Sequence, residues 1–189
     1  MHSSSSHLGK DLLELIKAIG DSRSKQEEDK IISKECETLK ILIKESGVPP
    51  KRMKEYLIRA IYIEMLGHDA SFSHLFAVNL TQEKNILNKR VGYLACSLLL
   101  NENSEFLILL VASLQKDLQS SNWVEVSMAL TTVIRFADPT IMQAVTEPVL
   151  KLLDNKNEQI RKKAVMCLYR FYQVDPATEK IIQFSPTVS

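Results

Sequence analysis

Apolar residues recur at intervals of three and four along almost the whole chain, which is the spacing of amphipathic helices. The pattern therefore predicts an all-helical protein of about nine helices. The segments expected to be helical are 8–19, 24–46, 50–66, 69–78, 81–100, 105–119, 122–136, 139–153 and 157–171.

Glycines, prolines and short polar residues mark the ends of these segments. Gly20, Gly47 and Gly67 each follow an apolar stripe and are expected to end a helix. Pro148 lies deep in the segment 139–153, so we expect a kink or a break there. The residues expected to cap a helix are Asp69, Thr81, Asn122, Asp138 and Asp175, of which the last two directly precede a proline.

The same stripes predict which side chains are buried. In the segment 81–100 the stripe that we expect to face the interior consists of Leu87, Val91, Leu94 and Leu98. The residues expected between successive helix layers are Leu57, Ile61, Leu94, Leu98, Leu130, Val133, Ala164 and Leu168.

The helices also repeat. Offsets of 37 and 35 residues align three copies in which a polar loop residue precedes a small helical residue by seven positions: Asn85 with Gly92, Asn122 with Ala129, and Asn157 with Ala164. Two helices in a repeat of this length are typical of HEAT and armadillo proteins. The sequence therefore predicts an armadillo/HEAT-like α-solenoid, wound as a right-handed αα superhelix.

Composition narrows the classes of function. Among 189 residues only 5 are glycine and 6 proline, about half the usual share of roughly 12%, which disfavours all-β and glycine-rich nucleotide-binding folds. The 24 basic and 23 acidic residues leave a net charge of +1, so we expect no nucleic-acid partner. The N-terminus lacks the basic and apolar regions of a signal peptide, and the longest apolar run, Phe106–Ala112, is too short for a membrane span.

Few residues offer chemistry. Cys36, Cys96 and Cys167 are 60 and 71 residues apart, which suits neither a disulfide framework nor a metal site and is typical of a reducing, cytoplasmic compartment. The chain contains no phosphate-binding glycine loop, nucleophile elbow or CxxC motif. We therefore expect no catalytic activity, no cofactor and no metal.

The histidines and the tryptophan have ordinary interpretations. His68 and His74 are six residues apart, whereas two histidines on one helix face need a spacing of four. A metal site that joins them to Asp69 is the alternative to a capping aspartate with two surface histidines, which we favour. Trp123, at a predicted helix start, is expected to anchor packing or to lie at an exposed edge.

Basic residues cluster near three predicted helix starts. Lys51, Arg52 and Lys54 follow two prolines, with Arg59 farther along. Cations beside the free N–H groups of a first helical turn form a candidate anion site, and an ordinary solvated turn is the alternative. The clusters at 89–90 and 161–163 are interpreted as a solvated face of the solenoid.

Several runs resemble one protein family. The segment 51–72 contains Lys-Arg-Met-Lys-Glu-Tyr and Glu-Met-Leu-Gly-His-Asp-Ala-Ser-Phe, and further similar runs lie at 89–94, 101–103, 116–118 and 161–164. Together they resemble the N-terminal trunk of the large adaptins, the big subunits of clathrin-type adaptor complexes, over roughly residues 10–184. Within that family they are most similar to the epsilon subunits of adaptor complex 4. Alpha adaptins come next, and gamma adaptins fit less well because their turn lacks the basic cluster.

The resemblance implies a scaffold with no catalytic activity. A large subunit of this kind holds sigma, beta and mu subunits, is recruited with an Arf-family GTPase, and sorts cargo at the trans-Golgi network in vesicle-mediated protein transport. It would be cytoplasmic and peripheral on trans-Golgi and coated-vesicle membranes. In alpha adaptins a basic turn at the position of Lys51, Arg52 and Lys54 contacts phosphoinositides, so these residues are the candidate anionic-lipid contact. A HEAT-type scaffold outside trafficking is the alternative function.

The resemblance also divides the chain. Residues 1–7 are expected to be a disordered N-terminal segment, 8–184 a fragment of the adaptin trunk, and 185–189 a tail that does not continue the family pattern. A full trunk is much longer, so the last repeat is expected to leave an apolar flank uncovered.

Overall fold

The structure, a computed structural model, describes residues 9–177 and contains nine α-helices, two short 3-10 helices and no strand within that range. The α-helices are α1 (Lys10–Gly20), α2 (Lys25–Leu42), α3 (Pro50–Met65), α4 (His74–Leu80), α5 (Ile86–Leu99), α6 (Phe106–Leu118), α7 (Trp123–Arg135), α8 (Pro139–Lys151) and α9 (Glu158–Val174). The 3-10 helices cover Ser71–Ser73 and Leu152–Asp154. The all-helical prediction is confirmed, whereas the expected disordered segment 1–7 and tail 185–189 lie outside the described residues.

Asparagine and aspartate side chains cap several helices. The side-chain oxygens of Asn85, Asn122 and Asn157 accept hydrogen bonds from the first turns of α5, α7 and α9. Asp138 accepts one from the Ile141 N–H in α8. These bonds satisfy backbone donors that a helix start leaves free, and they set the register of the repeats.

Two predicted caps are wrong. The hydroxyl of Thr81 donates to the Val78 carbonyl at 2.7 Å, at the end of α4, and leaves the cap of α5 to Asn85. Asp69 accepts from the backbone N–H and the hydroxyl of Ser71 at 3.0 Å, so it stabilises the turn before a 3-10 helix. The α-helix that we expected to start there therefore begins only with α4.

Glycines shape two other helix boundaries, and a proline lies inside α8. Gly47 and Gly67 have φ angles of 75° and 87°, which glycine adopts without strain, and they turn the chain after α2 and α3. Of the kink or break expected at Pro148, the break is wrong, because α8 continues through it to Lys151. The helix that Asp175 was expected to cap falls outside the described residues.

The helices stack as a two-layered solenoid. In one layer α3, α5, α7 and α9 pack side by side, and in the other α4, α6 and α8 do so. Each of α4, α6 and α8 also packs on the helix that follows it, while α1 and α2 pack near α3. One apolar cluster extends from α2 to α9 between these layers. The predicted solenoid is therefore confirmed.

The core prediction is right at six positions and wrong on α5. Leu94 and Leu98 are 49% and 48% exposed, and Leu87, on the same stripe, is 60% exposed. The side of α5 that is buried carries Asn88, Lys89, Gly92, Tyr93, Ala95, Cys96 and Leu99. The residues confirmed as buried are Leu57, Ile61, Leu130, Val133, Ala164 and Leu168.

Gly92 explains why α5 is rotated. A Cβ atom at Gly92 would lie 2.6 Å from the backbone N of Thr81 and 2.7 Å from the carbonyl C of Leu80, at the end of α4. The two helices can approach this closely only through a residue without a side chain. The small-residue position of the repeat thus decides which face of α5 is buried, and the leucine stripe turns outward.

Within residues 9–177, no helix is both long and apolar enough to cross a membrane.

Candidate functional site

The basic cluster expected to contact anions lies at the start of α3. Pro49 precedes the helix and Pro50 is its first residue, so no side chain caps the first turn and no acidic residue lies in it. Lys51 and Arg52 are exposed, and Lys54 is half-buried. Pro50 has no N–H group, and the Arg52 N–H donates to the Pro49 carbonyl at 2.8 Å, so few backbone donors are free in this turn. The cationic side chains and the positive end of the helix dipole nevertheless meet at this end of α3, which favours an anion.

Carboxylates compensate only part of this charge. Arg52 Nη1 lies 3.7 Å from Glu55 Oε2 and 4.0 Å from Asp11 Oδ2. Among the described residues, neither Lys51 nor Lys54 has a carboxylate oxygen within 4.0 Å. The two lysines thus keep their charge available at the surface.

Arg59, on the same helix, does not belong to the exposed cluster. Its side chain is 6% exposed, and its Nη1 donates to Glu35 Oε1 at 2.6 Å. Its Nη2 is 3.8 Å from Asp11 Oδ2, and its guanidinium carbon is 5.3 Å from the centre of the Tyr56 ring. Arg59 therefore ties α1, α2 and α3 together and has a structural role.

The second basic cluster consists of Lys89 and Arg90, and its interpretation as a solvated face is wrong at Lys89. This residue, in the first turn of α5, is only 3% exposed. Its Nζ lies 2.7 Å from Asp117 Oδ1 on α6 and 2.7 Å from Glu125 Oε1 on α7. Asp117 Oδ2 accepts a further hydrogen bond from the Tyr93 hydroxyl at 2.7 Å. We call Lys89, Tyr93, Asp117 and Glu125 the buried network.

Burial and the hydrogen bonds of the buried network shift the pKa values of Lys89, Tyr93 and Glu125. Burial alone would lower the pKa of Lys89, but the hydrogen bonds to Asp117 and Glu125 outweigh it, and the pKa is raised. The hydrogen bond from Lys89 lowers the pKa of Glu125. Burial, together with the bond to Asp117, raises the pKa of Tyr93. The ammonium and Glu125 are therefore charged at neutral pH, and the network joins three helices as a structural unit.

One signal in the sequence could have revealed this network. Asp117 lies in the last turn of α6, a strongly apolar helix, where the helix dipole disfavours an acidic residue. An aspartate at that position calls for a cation from another helix. Glu125 was hidden for a different reason, since its position three residues after Asn122 suggested only a capping role.

The remaining basic residues are mixed. Arg90 is exposed, and Lys162, 62% exposed, pairs with Glu158 at 2.6 Å, so the solvated interpretation fits both. Arg161 donates to the Asn155 carbonyl at 2.8 Å. Lys163 is half-buried, and its ammonium bonds hydroxyl and carbonyl oxygens of α7.

The histidines do not converge. His68 Nε2 lies 3.4 Å from Asp29 Oδ1, and His74 packs edge-on against Phe106 with ring centres 5.8 Å apart. Burial lowers the pKa of His74. Throughout residues 9–177, no three His, Cys, Asp or Glu side chains are grouped in a way that could hold a metal ion.

The cysteines and the tryptophan occupy separate places in the fold. Cys36 on α2, Cys96 on α5 and Cys167 on α9 are all free and buried. Trp123 is 56% exposed, which selects the exposed-edge alternative.

Comparison with known proteins gives a consistent result. Residues 28–185 match the family described as the adaptin N-terminal region. The chain is 46% identical over 169 residues to the AP-4 complex subunit epsilon of Arabidopsis thaliana, covering 89% of this chain and 18% of that protein. It is 45% identical over 174 residues to the human AP-4 complex subunit epsilon-1, covering 92% and 15%.

More distant relatives belong to other adaptor complexes. The AP-2 complex subunit alpha-1 of Arabidopsis thaliana is 32% identical over 164 residues, covering 85% of this chain and 16% of that protein. The resemblance to epsilon subunits is thus stronger than that to an alpha subunit. The chain spans less than a fifth of the length of each of these three relatives.

Proposed function

The chain belongs to the family of adaptin N-terminal regions, and we propose that it serves as large-subunit scaffold of an epsilon-type adaptor complex. Its partners would be sigma, beta and mu subunits together with an Arf-family GTPase. It would act without catalysis, in vesicle-mediated protein transport, on the cytoplasmic side of trans-Golgi and coated-vesicle membranes. The identity of 44–46% to AP-4 epsilon subunits of four organisms supports the epsilon assignment over the alpha one.

The distribution of buried and exposed side chains on α5 supports the scaffold proposal. This helix buries a lysine and leaves Leu87, Leu94 and Leu98 about half exposed or more. A row of leucines on the outer face of a packed helix loses free energy in water unless another surface covers it. We take this stripe as a contact with another subunit.

Coexpression with epsilon-type sigma, beta and mu subunits tests the proposal. Affinity capture of this chain should recover sigma, and Leu94→Asp with Leu98→Asp should abolish that recovery. Ile41→Asp, at a position on α2 that is 68% exposed, is the matched control and should bind normally. Recovery that is unchanged in the double variant would refute the α5 contact.

Captured partners also separate the alternatives. Alpha-type partners recovered in preference to epsilon-type ones would move the assignment to the endocytic complex. Kinase or phosphatase subunits without any adaptor subunit would favour the scaffold outside trafficking.

The basic turn at the start of α3 is proposed as a peripheral contact with anionic lipid. Each cation near an anionic leaflet contributes about 1 kcal/mol, and the effect fades within a Debye length of about 8 Å at physiological salt. Lys51, Arg52 and Lys54 would thus add about 3 kcal/mol at most, and less because Arg52 already faces two carboxylates. Such a contact assists recruitment and does not anchor the protein alone.

Liposome co-sedimentation of the assembled complex tests this contact. With all three residues changed to Ala, binding to vesicles with anionic lipid should fall at low salt, while the weak binding to neutral vesicles stays unchanged. Lys84, Lys151 and Lys156, which are exposed elsewhere, provide a control variant with the same loss of charge. Equal losses in both triple variants would show that binding follows net charge and is not specific to the basic turn. No loss in either variant would leave recruitment to a protein partner.

A further inference from the structure

Another basic surface, distinct from the basic turn of α3 and from the buried network, lies along the contact between α7 and α9. It consists of Arg135 on α7 with Lys163 and Arg170 on α9, and we call it the basic seam. Lys163 Nζ is 2.8 Å from Ser127 Oγ and 2.7 Å from Thr131 Oγ1. At the other end of both helices, Arg135 and Arg170 both contact Glu102. The helices therefore run parallel, with cations at two levels of one seam.

The cations of the seam outnumber the acidic groups near them. Lys163 bonds only neutral oxygens, and among the described residues no carboxylate lies within 4.0 Å of its ammonium. Arg135 Nη1 and Arg170 Nη2 share a single carboxylate, that of Glu102, at 3.8 and 4.0 Å. Because the Glu102 side chain is 58% exposed, these contacts are weak. Three cations thus face one loosely held carboxylate.

The distance between the cations of the basic seam indicates how far apart the carboxylates of a matching peptide should be. Lys163 and Arg170 are seven residues apart, two helical turns on one face, which separates them by about 10 Å along the axis. A peptide in the polyproline II conformation has three residues per turn and advances about 3.1 Å per residue. Carboxylates three residues apart therefore lie on one face of such a peptide, about 9 Å apart, close to that separation.

We propose that the basic seam binds an acidic segment of a partner protein, with carboxylates three residues apart that pair with Lys163 and with the two arginines. The ammonium of Lys163 lies against α7, where it bonds Ser127 and Thr131. A single carboxylate side chain can therefore reach it more readily than a flat lipid surface can. Burial without a counter-charge lowers the pKa of Lys163, and an incoming carboxylate would relieve that cost.

The test uses the full chain and a fluorescein-labelled nine-residue peptide with glutamate at every third position. Fluorescence anisotropy at low salt should show binding that a glutamine version of the peptide lacks. Lys163→Gln with Arg170→Gln should weaken binding about tenfold or more. The control, Lys151→Gln with Lys162→Gln, removes two lysines that are 73% and 62% exposed and should bind within about twofold of the parent.

A variant that is expected to strengthen peptide binding complements the variants that weaken it. Glu102→Gln removes the competing carboxylate and should tighten peptide binding about two- to threefold. Should Lys163→Gln lower the melting temperature, Arg135→Gln with Arg170→Gln replaces it, since both side chains are partly exposed.

Three results would overturn the proposal. Binding could be lost equally in the control variant, which would make it non-specific. It could be unchanged in both seam variants. Finally, vesicles containing phosphatidylserine could bind in a seam-dependent manner while the peptide does not, which would assign the surface to membrane instead.

Discussion

The starts of α3 and α5 look alike in sequence and differ in the structure. Each carries a Lys-Arg pair within its first five residues, Lys51-Arg52 on α3 and Lys89-Arg90 on α5. At α3 the lysine is exposed and, among residues 9–177, no carboxylate oxygen lies within 4.0 Å of its ammonium. At α5 the lysine is 3% exposed and lies between two carboxylates.

The difference arises on the neighbouring helices. Asp117 on α6 and Glu125 on α7 supply the charges that allow Lys89 to be buried, because a cation leaves water only when paired. The turn at α3 has Asp11 and Glu55 nearby, and both contact Arg52, while Asp11 also contacts Arg59. Charge on adjacent helices, more than the pattern of a cation's own helix, decides which cluster is structural and which remains available to a ligand.

The largest expected effect comes from a charge placed where no partner exists. Ala164 on α9 is fully buried at the small-residue position of its repeat. Ala164→Asp should lower the free energy of unfolding by more than about 4 kcal/mol, because it overpacks the contact and buries an unpaired carboxylate. Urea denaturation measures this loss. Val165→Asp, at a neighbouring residue that is 56% exposed, should cost far less, and similar losses at both positions would refute the register of the repeats.

Removing the buried cation should have the next largest effect. Lys89→Met leaves Asp117 buried without its counter-charge and should cost about 3–4 kcal/mol in the free energy of unfolding. Lys51→Met removes the corresponding lysine of α3 and should change stability by less than about 0.5 kcal/mol. If the two variants unfold at the same urea concentration, the two helix starts do not differ as described.

The smallest expected effect is the loss of stability in Glu125→Gln, and this loss should shrink at acid pH. The pKa of Glu125 is lower in the folded chain than its ordinary value of 4.5, so its carboxylate favours folding above that pH. That contribution is lost as the pH falls through the lowered value in the folded state. At pH 7 the parent should exceed Glu125→Gln by about 1–2 kcal/mol, and the gap should close below pH 4.5. A gap that persists at pH 3 would mean that the charge of Glu125 contributes nothing to folding.

Helix type and stacking could be predicted because they depend on local patterns. The caps at Asn122 and Asp138, the turns at Gly47 and Gly67, and the burial of Ala164 all follow from spacing within one or two helices. The repeat of small residues correctly placed Gly92 at a close helix contact.

The errors arise where long-range packing overrides the local stripe. Leu94 and Leu98 form a good helical stripe, but the close approach of Gly92 to Thr81 rotates α5 and turns that stripe outward. Lys89 could not be assigned to the interior, because its partners lie 28 and 36 residues away. At the basic turn, the sequence placed Lys51, Arg52 and Lys54 together but could not separate Arg59 from them.

The three buried thiols provide a built-in measure of how the solenoid opens. Cys36, Cys96 and Cys167 lie near its beginning, middle and end, and burial raises the pKa of Cys96 to about 12. A maleimide can alkylate each one only after its own repeat has opened. Labelling rates at the three positions, read by mass spectrometry, would show whether the repeats unfold together or fray inward from one end. The buried network between α5, α6 and α7 would then appear as slow labelling of Cys96 relative to the other two.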